Sequence, residues 1–191
     1  MKILFFDLET TGLDPKKNGI HQLSLMLEVD GEIVKEVNVN VRPFPQDEIN
    51  PDALKVSGLT PEQIVGEGYY SPQSVYKSLT TLLDAYCDKF DKRDKVFLCG
   101  YNSQSFDSQF LRAFFEKNGD KYFGSYFWTV NFDVMVMAGF YLAEQRPDMP
   151  DFKLATVAKF MGIEVDETKL HDATYDLILT RGIFEKLKNK G

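Results

Sequence analysis

The opening segment KILFFDLE, residues 2–9, constrains the fold more than any other part of the chain. Four consecutive apolar residues rich in Ile, Leu and Phe are typical of a buried strand. The strand ends at two carboxylates, Asp7 and Glu9. Because charged side chains are seldom buried without a reason, the fold must enclose this strand and also accommodate two charges at its end.

Two further strands and a series of helices follow along the chain. Residues 20–29 and 32–41 have β-type patterns, and Asp30–Gly31 between them predicts a hairpin because this dipeptide tolerates the positive φ of a tight turn. The remaining elements are predicted in this order: short helices after Asn50 and Thr60, a longer helix from Ser71–Pro72 with apolar positions through Phe90, a strand within 95–102, a helix around 106–114, a fifth strand near 127–130, a helix from Asp133 to about Glu144, and two closing helices within 151–163 and 172–190.

Strands first, then helices with a strand returning between them, predict an α/β architecture with a mixed sheet of about five strands flanked by helices. The chain has 191 residues, 43% of them hydrophobic and 27% charged, which suffices for one substantial core. No linker, repeat or low-complexity segment divides it. We therefore expect residues 1–191 to form a single domain.

Charge and apolar runs exclude several classes of protein. The formal net charge of −7 argues against broad coating of duplex nucleic acid, although it allows one nucleic-acid end to be held through metal ions. The sequence shows neither a signal-peptide core nor a membrane-spanning run, so we expect a cytoplasmic protein without a membrane partner. Cys87 and Cys99 fit neither a disulfide framework nor a CxxC metal site and are predicted to be reduced core residues.

Asp7 and Glu9 are two residues apart, so on a strand their side chains leave the same face, roughly 6 to 7 Å apart. Two carboxylates so placed repel each other unless a cation lies between them, as a hard divalent ion could. The spacing alone is not specific, because Asp30 and Glu32 share it in a hairpin that predicts a solvated turn. From spacing alone, Asp7 and Glu9 are either a metal site or a polar strand end.

Further candidates lie at predicted helix starts. Asp107 falls in the first turn of the helix after the fourth strand, where it is either a binding group at the sheet edge or an acid favoured by the helix dipole. His171 precedes the last helix, and Asp172 and Asp176 share one face of it. Geometry alone does not decide which of the two acids reaches a metal, but Asp172 suits the N-cap and this favours Asp176. His21, within an apolar strand, is interpreted as structural.

Three motifs, read in order, resemble those of DEDDh-type 3′–5′ exonucleases of the DnaQ-like, ribonuclease H-like superfamily. They are FDLETTGL at 6–13, NSQSFDSQFL at 102–111 and HDATYD at 171–176. The intervening INPDALKVSGLTPEQI at 49–64 is similar to the family's connector, so the resemblance covers essentially the whole chain. It implies a ribonuclease H-like fold and metal-dependent removal of nucleotides from a 3′ end as nucleoside 5′-monophosphates.

The resemblance assigns the family's four carboxylates to Asp7, Glu9, Asp107 and Asp176 and its histidine to His171. By the family's mechanism, Asp7 bridges two divalent ions, Mg²⁺ or Mn²⁺, Glu9 and Asp176 complete the site of the attacking water, and Asp107 serves the second ion. His171 would accept the proton of that water. The partner implied is the 3′ end of single-stranded DNA or RNA.

The resemblance also implies substrate contacts. Backbone amides at Thr10 and Thr11 would lie near the 3′ hydroxyl, Leu13 against a base, and Asn102 near sugar or phosphate. Further candidates are Lys153, which is otherwise a solvated charge at a helix start, and three aromatic residues that could stack bases, Tyr69, Tyr70 and Phe127. Where many relatives have His-Asn, this chain has Tyr101–Asn102, so any polar role of that histidine is absent or replaced.

Two other functions fit the same fold. One is an endonuclease of the ribonuclease H kind, which the presence of His171 and the order of the motifs disfavour. The other is a non-catalytic nucleic-acid-binding module, which would tolerate loss of an acid, whereas all four are present. The sequence does not distinguish a DNA substrate from an RNA substrate, and it gives no indication of a polymerase partner or a homodimer.

Overall fold

A computed structural model describes residues 1–55, 57–170 and 172–189 of the chain. Its strands are β1 (Lys2–Thr10), β2 (Ile20–Val29), β3 (Glu32–Asn40), β4 (Phe97–Gly100) and β5 (Phe132–Asp133). Its α-helices are α1 (Pro51–Leu54), α2 (Pro61–Ile64), α3 (Pro72–Tyr86), α4 (Asp107–Lys117), α5 (Phe123–Tyr126), α6 (Val134–Tyr141), α7 (Leu154–Phe160) and α8 (Ala173–Lys188). Short 3₁₀ turns occupy Arg146–Asp148 and Glu167–Lys169.

The strands form one mixed sheet in the order β3-β2-β1-β4-β5. The first three strands are antiparallel neighbours, whereas β4 pairs parallel to β1 and β5 parallel to β4. The predicted mixed sheet with flanking helices is therefore confirmed. The predicted hairpin is also present. β2 and β3 pair antiparallel, and in the turn between them Asp30 and Gly31 have φ angles of 53° and 92°.

Alternation along β1 divides the core between the two faces of the sheet. Leu4, Phe6 and Leu8 pack with buried residues of α3, α4 and α5. Ile3 and Phe5 pack on the other face with buried residues of α6, α7 and α8. The odd-numbered positions of β1 therefore face α8, and this places the next two odd positions, which are the acids, on the same side.

The predicted helix starts are largely confirmed. Asn50, Ser71 and Asp172 are N-caps whose side chains accept backbone N–H bonds, and Thr60 with Gln63 forms a complete capping box. These side chains satisfy N–H groups that have no partner within a helix. Local sequence chemistry was therefore enough to locate these turns.

Three predictions about element boundaries are wrong. The fifth strand lies at Phe132–Asp133, not near 127–130; Phe127 makes only an isolated bridge to Val96. The apolar face of α3 does not extend to Phe90, because Cys87 is extended (φ −137°, ψ 124°) and ends the helix, leaving Phe90 86% exposed. The helix predicted to reach Glu144 ends at Tyr141.

Cys87 and Cys99 are buried and not disulfide-bonded, as predicted. The thiol of Cys87 donates to the carbonyl of Asp94 at 2.7 Å. Within the described parts of the chain, no helix is both long and apolar enough to cross a membrane.

Candidate active site

The two acids of β1 lie at the end of the strand on the face that packs against α8. Asp7 and Glu9 are both partly buried, and β2 lies beside them, with Ser24 opposite Asp7 and Gln22 opposite Glu9. The register shifts between Glu9 and Thr10, because Thr10 pairs with Ile20 and β2 has an extra residue, His21, at this point. This bulge in the neighbouring strand changes the strand pairing directly after the acids.

Asp107 comes to the same end of the sheet from a different element. It is the first residue of α4, and α4 follows β4, the parallel neighbour of β1. Strand-to-helix junctions of parallel neighbours meet at one edge of a sheet. Asp107 is only 7% exposed, and the backbone N–H of Leu8, between the two β1 acids, is close enough to its carboxylate to lower its pKa.

The start of α8 supplies the remaining acids. Asp172 is its N-cap and accepts the Tyr175 N–H at 3.0 Å, as the sequence predicted, and Asp176 lies one turn further along. Thr174 lies between them, and its hydroxyl accepts a bond from Ser24 of β2 at 3.3 Å. The predicted base, His171, lies outside the described residues.

The electrostatics of Asp7 show that the acids come together. Burial raises the pKa of Asp7 well above its usual range, and the negative charges of Asp107, Glu9, Asp176 and Asp172 raise it further, in decreasing order of effect. These residues come from β1, α4 and α8. The structure therefore brings the four predicted carboxylates within electrostatic reach of one another, together with the N-cap Asp172.

Glu9 and Asp107 respond in the same way. Burial, then the charge of Asp176, raises the pKa of Glu9 to about 7, against a weak opposing bond from Ser57, whose hydroxyl lies 3.5 Å from Glu9 Oε2. Burial also raises the pKa of Asp107 to about 7, although the N–H of Leu8 opposes the shift. Such raised values are typical of carboxylates that are buried close to one another.

The donor set fits a hard divalent cation in kind and in charge. Carboxylate oxygens are the ligands that Mg²⁺ and Mn²⁺ prefer, and within the described residues Asp7, Glu9 and Asp107 form no ion pair with Lys or Arg. In the same part of the chain, no three His, Cys, Asp or Glu side chains form a group arranged to hold a metal ion. The acids are thus close enough to raise the pKa values of Asp7 and Glu9, but the described side chains are not arranged as a complete set of metal ligands.

The loop after Glu9 leaves one predicted substrate contact unavailable. Thr11 is fully buried: its hydroxyl donates to the Glu48 carbonyl at 2.8 Å and accepts the Gly19 N–H at 2.9 Å, while its own N–H donates to the Gly19 carbonyl. Its amide and side chain therefore hold the loop and do not face a ligand. Thr10 remains partly exposed, with its hydroxyl bonded to the carbonyl of Gly12.

The other predicted contacts are accessible. Leu13 is 82% exposed, and Lys153, at the start of α7, is exposed as well. Asn102 is exposed and has the left-handed φ of 56°. Of the three aromatic candidates, Tyr69 is partly exposed and Tyr70 largely exposed, but Phe127 is buried in the core, so its predicted stacking role is wrong.

Sequence reasoning missed the residues that support the site. Ser57 beside Glu9 comes from the connector between α1 and α2, and Asp133 takes N–H bonds from the loop before Asp107. An aspartate at a helix start signals an N-cap, and Asp133 does cap α6. Its bonds to a loop 30 residues earlier follow only from the pairing of β4 with β5.

Comparisons with known sequences show which proteins this chain is similar to. The family model of the RNase_T exonucleases matches residues 4–184. The chain is 25% identical over 195 residues to ribonuclease T of Buchnera aphidicola subsp. Schizaphis graminum, covering 96% of this chain and 81% of that protein. It is 23% identical to the PolC-type DNA polymerase III of Mycoplasmopsis pulmonis, covering 97% of this chain but 12% of the polymerase.

Solved structures of E. coli exonuclease I share the fold. The zinc-bound form of an exonuclease I–ssDNA complex superposes with a TM-score of 0.78 at 21% identity, covering 99% of this chain and 40% of the other. A complex with a 5cy-dT13 oligonucleotide gives 0.75, also at 21% identity and with the same coverage. This chain therefore has the ribonuclease H-like fold and spans about 40% of the length of those exonuclease I chains.

Proposed function

This chain belongs to the RNase_T exonuclease family, and on that premise we propose that it is a DEDDh-type 3′–5′ exonuclease. It shortens single-stranded DNA or RNA, or frayed duplex ends, and releases nucleoside 5′-monophosphates. Residues 1–191 act as one catalytic domain in this proposal. Its similarity to ribonuclease T and to an exonuclease I bound to an oligonucleotide supports a nucleic-acid substrate. The cytoplasmic location stays a prediction from the sequence.

One observation carries the proposal: acids from three distant segments lie close enough together at one edge of the sheet to add to the effect of burial and raise the pKa values of Asp7, Glu9 and Asp107. Asp7, Glu9, Asp107 and Asp176 would hold two divalent ions, Mg²⁺ or Mn²⁺, which supply an activated water, neutralise phosphate charge and stabilise the departing 3′ oxygen. A purely structural cluster of acids would be expected to have Lys or Arg partners, and within the described residues Asp7, Glu9 and Asp107 form no such ion pair.

The other residues bind the substrate and move a proton. His171 accepts the proton of the attacking water, a role that suits a group titrating near neutrality and is commonly worth about 100- to 10,000-fold in rate. Leu13, which is exposed and follows Glu9 by four residues, packs against the terminal base, and the Thr10 amide lies near the 3′ hydroxyl. Asn102 contacts sugar or phosphate from the loop before Asp107.

The direct test follows oligonucleotides labelled at the 5′ end through a time course in Mg²⁺ buffer. Stepwise shortening from the 3′ end is expected, and Asp107→Asn should abolish it. Internal fragments would instead indicate a ribonuclease H-type endonuclease, and tight binding of an unchanged oligonucleotide would indicate a binding module. Single-stranded and duplex DNA and RNA, compared in one buffer, then define the substrate.

The role of His171 has a matched control, because the chain contains only one other histidine, His21. We expect His171→Ala to lower kcat at pH 7 by about 100-fold or more while Mn²⁺ binding, measured by calorimetry, is kept. His21→Leu, in the buried part of β2, should leave kcat unchanged at a temperature where the variant is folded. A His171→Ala enzyme with wild-type kcat would rule out the assigned base.

A further inference from the structure

We infer that residues 131–133, at β5, position Asp107 by hydrogen bonding to the chain on both sides of it. We call this segment the clamp. Neither Asn131 nor Asp133 belongs to the motifs from which the function was predicted. The inference rests on the proposed function for its catalytic consequence. The clamp itself is a structural statement about the protein without metal or substrate.

The first arm of the clamp is Asp133, which is 5% exposed. Its Oδ1 accepts the N–H of Asn102 and its Oδ2 the N–H of Gln104, each at 3.1 Å. Oδ1 also accepts the N–H groups of Met135 and Val136, at 3.1 and 3.4 Å, which caps α6. A single carboxylate thus joins the loop before α4 to the start of α6 through four backbone donors.

The second arm is Asn131, whose side-chain amide donates to the hydroxyl of Ser108 at 2.7 Å. Ser108 directly follows Asp107, and its own N–H donates back to the carbonyl of Ser103 at 2.8 Å. Bonds therefore reach the chain at positions 102 and 104, before the acid, and at position 108, after it. Pairing of Cys99 with Phe132 holds the two segments side by side.

The start of α4 depends on this external support because, among the described residues, no side chain caps it. Its N-cap, Phe106, makes no side-chain hydrogen bond and has φ −129° and ψ −78°. In addition, Asn102 is held with a positive φ of 56°, a conformation that surrounding bonds must maintain. N–H bonds to a carboxylate are stronger than neutral ones, so Asp133 is well suited to fix both features.

Asp133 has two roles, because it caps α6 and also binds the loop before α4. A variant that keeps the cap but loses the bonds to the loop separates the two roles. Serine at position 133 can still cap α6, but its side chain is too short to reach the amides of Asn102 and Gln104. Asparagine keeps one acceptor oxygen in nearly the same place and should rescue part of the effect. Ser71→Ala removes the side-chain cap of α3, which has no bond to this loop, and serves as the control.

Two measurements on the full chain test the clamp. In metal-free protein, amide hydrogen exchange at positions 102 and 104 should become at least about tenfold faster in Asp133→Ser, while exchange at 135 and 136 changes little. On a single-stranded oligonucleotide in Mg²⁺, kcat should fall by about 10- to 100-fold with KM nearly constant, and Asp133→Asn should lie between this variant and wild type. Ser71→Ala should lower the melting temperature without lowering kcat.

Asn131→Ala, which cuts the second arm, provides an independent check if Asp133→Ser does not fold. It should speed exchange at Ser108 and lower kcat in the same direction. Unchanged exchange at 102, 104 and 108 in the folded variants would overturn the clamp, and so would a loss of kcat no larger than that of Ser71→Ala. An inactive wild-type protein would instead refute the proposed function, while the exchange data would still decide whether the clamp exists.

Discussion

Buried carboxylates in this protein differ in what surrounds them. Glu28 pairs with Arg181 at 2.9 Å, and Asp47 pairs with Lys117 at 2.5 Å. Asp133 accepts four backbone N–H groups. By contrast, the pKa values of the acids at the end of β1 are raised. Burial alone therefore does not identify the site; buried negative charge without compensation does.

That uncompensated charge predicts a pH dependence for Glu9. An acid whose folded-state pKa is raised loses stability as it ionises, so Glu9 destabilises the metal-free protein increasingly between pH 4.5, its usual pKa, and about 7. Glu9→Gln should match wild type near pH 4 and exceed its free energy of unfolding at pH 8 by up to about 3 kcal/mol. Urea denaturation across this range measures the difference, and Glu32→Gln on the exposed hairpin is the control.

A difference between Glu9→Gln and wild type that stayed constant from pH 4 to pH 8 would contradict this prediction. It would mean that the substitution acts through packing and not through charge.

His21 should show the opposite dependence. Burial lowers its pKa from 6.5 to about 4, and within the described residues neither ring nitrogen has a hydrogen-bond partner. As the pH falls from 6.5 to about 4, the unfolded chain takes up a proton that the folded protein does not, and stability is lost. The loss should reach about 3 kcal/mol in wild type and be absent from the His21→Leu variant. If the free energy of unfolding changed with pH in the same way in both proteins, this prediction would be refuted.

At the level of elements, the junction between β4 and α4 is the most demanding part of the fold. A Cβ at Gly100 would lie 2.6 Å from the Cβ of Ser103 and 3.1 Å from the carbonyl oxygen of Phe6. Only glycine allows the loop before Asp107 to approach β1 so closely. The loop's position is therefore set by backbone contact as well as by hydrogen bonds.

Gly100→Ala should consequently displace this loop. We expect a loss of about 1 to 3 kcal/mol in stability and a fall in kcat larger than stability alone explains. Gly124→Ala, at a helical glycine with no atom within 4 Å of the added Cβ, is the matched control. Thermal melts and initial rates would check both variants. A Gly100→Ala enzyme with normal kcat would show that activity does not require the loop to lie so close to β1.

What could be predicted from the sequence was set by local chemistry. Strand patterns, the Asp30–Gly31 turn and the caps at Thr60 and Asp172 each depend on residues within one turn of each other. The four acids were assigned from the resemblance, which supplied the long-range information. Burial of Thr11 and the role of Asp133 follow from contacts to segments about 30 residues or more away, which no local pattern contains.

The misplaced fifth strand has a similar cause. Residues 127–130 have the aromatic and β-branched character of a strand, but Phe127 is held in the core beside Phe115 and Phe123. The strand forms instead at Phe132, where the parallel register with Cys99 also brings Asp133 next to Gly100. Tertiary pairing here overrides β propensity.

For the molecule as a whole, the balance of charge at the site predicts a strong response to cations. An ion that binds the folded protein and not the unfolded chain stabilises it by about 2.7 kcal/mol at a concentration 100 times its Kd. Mn²⁺ should therefore raise the melting temperature in a concentration-dependent way. Asp7→Asn should abolish the increase, whereas Asp30→Asn, in the exposed pair of equal spacing, should retain it. Equal increases in both variants would place the ion elsewhere.

The position of α8 has a consequence for biosynthesis. Asp176 is made 169 residues after Asp7, roughly ten seconds or more at ordinary elongation rates. Until then the nascent polypeptide has only three of the four carboxylates to which the proposed function assigns the metal ions, and we expect it to have no nuclease activity. Stalled translation products ending before residue 172 should accordingly leave labelled single-stranded oligonucleotides intact, whereas products that include α8 should shorten them.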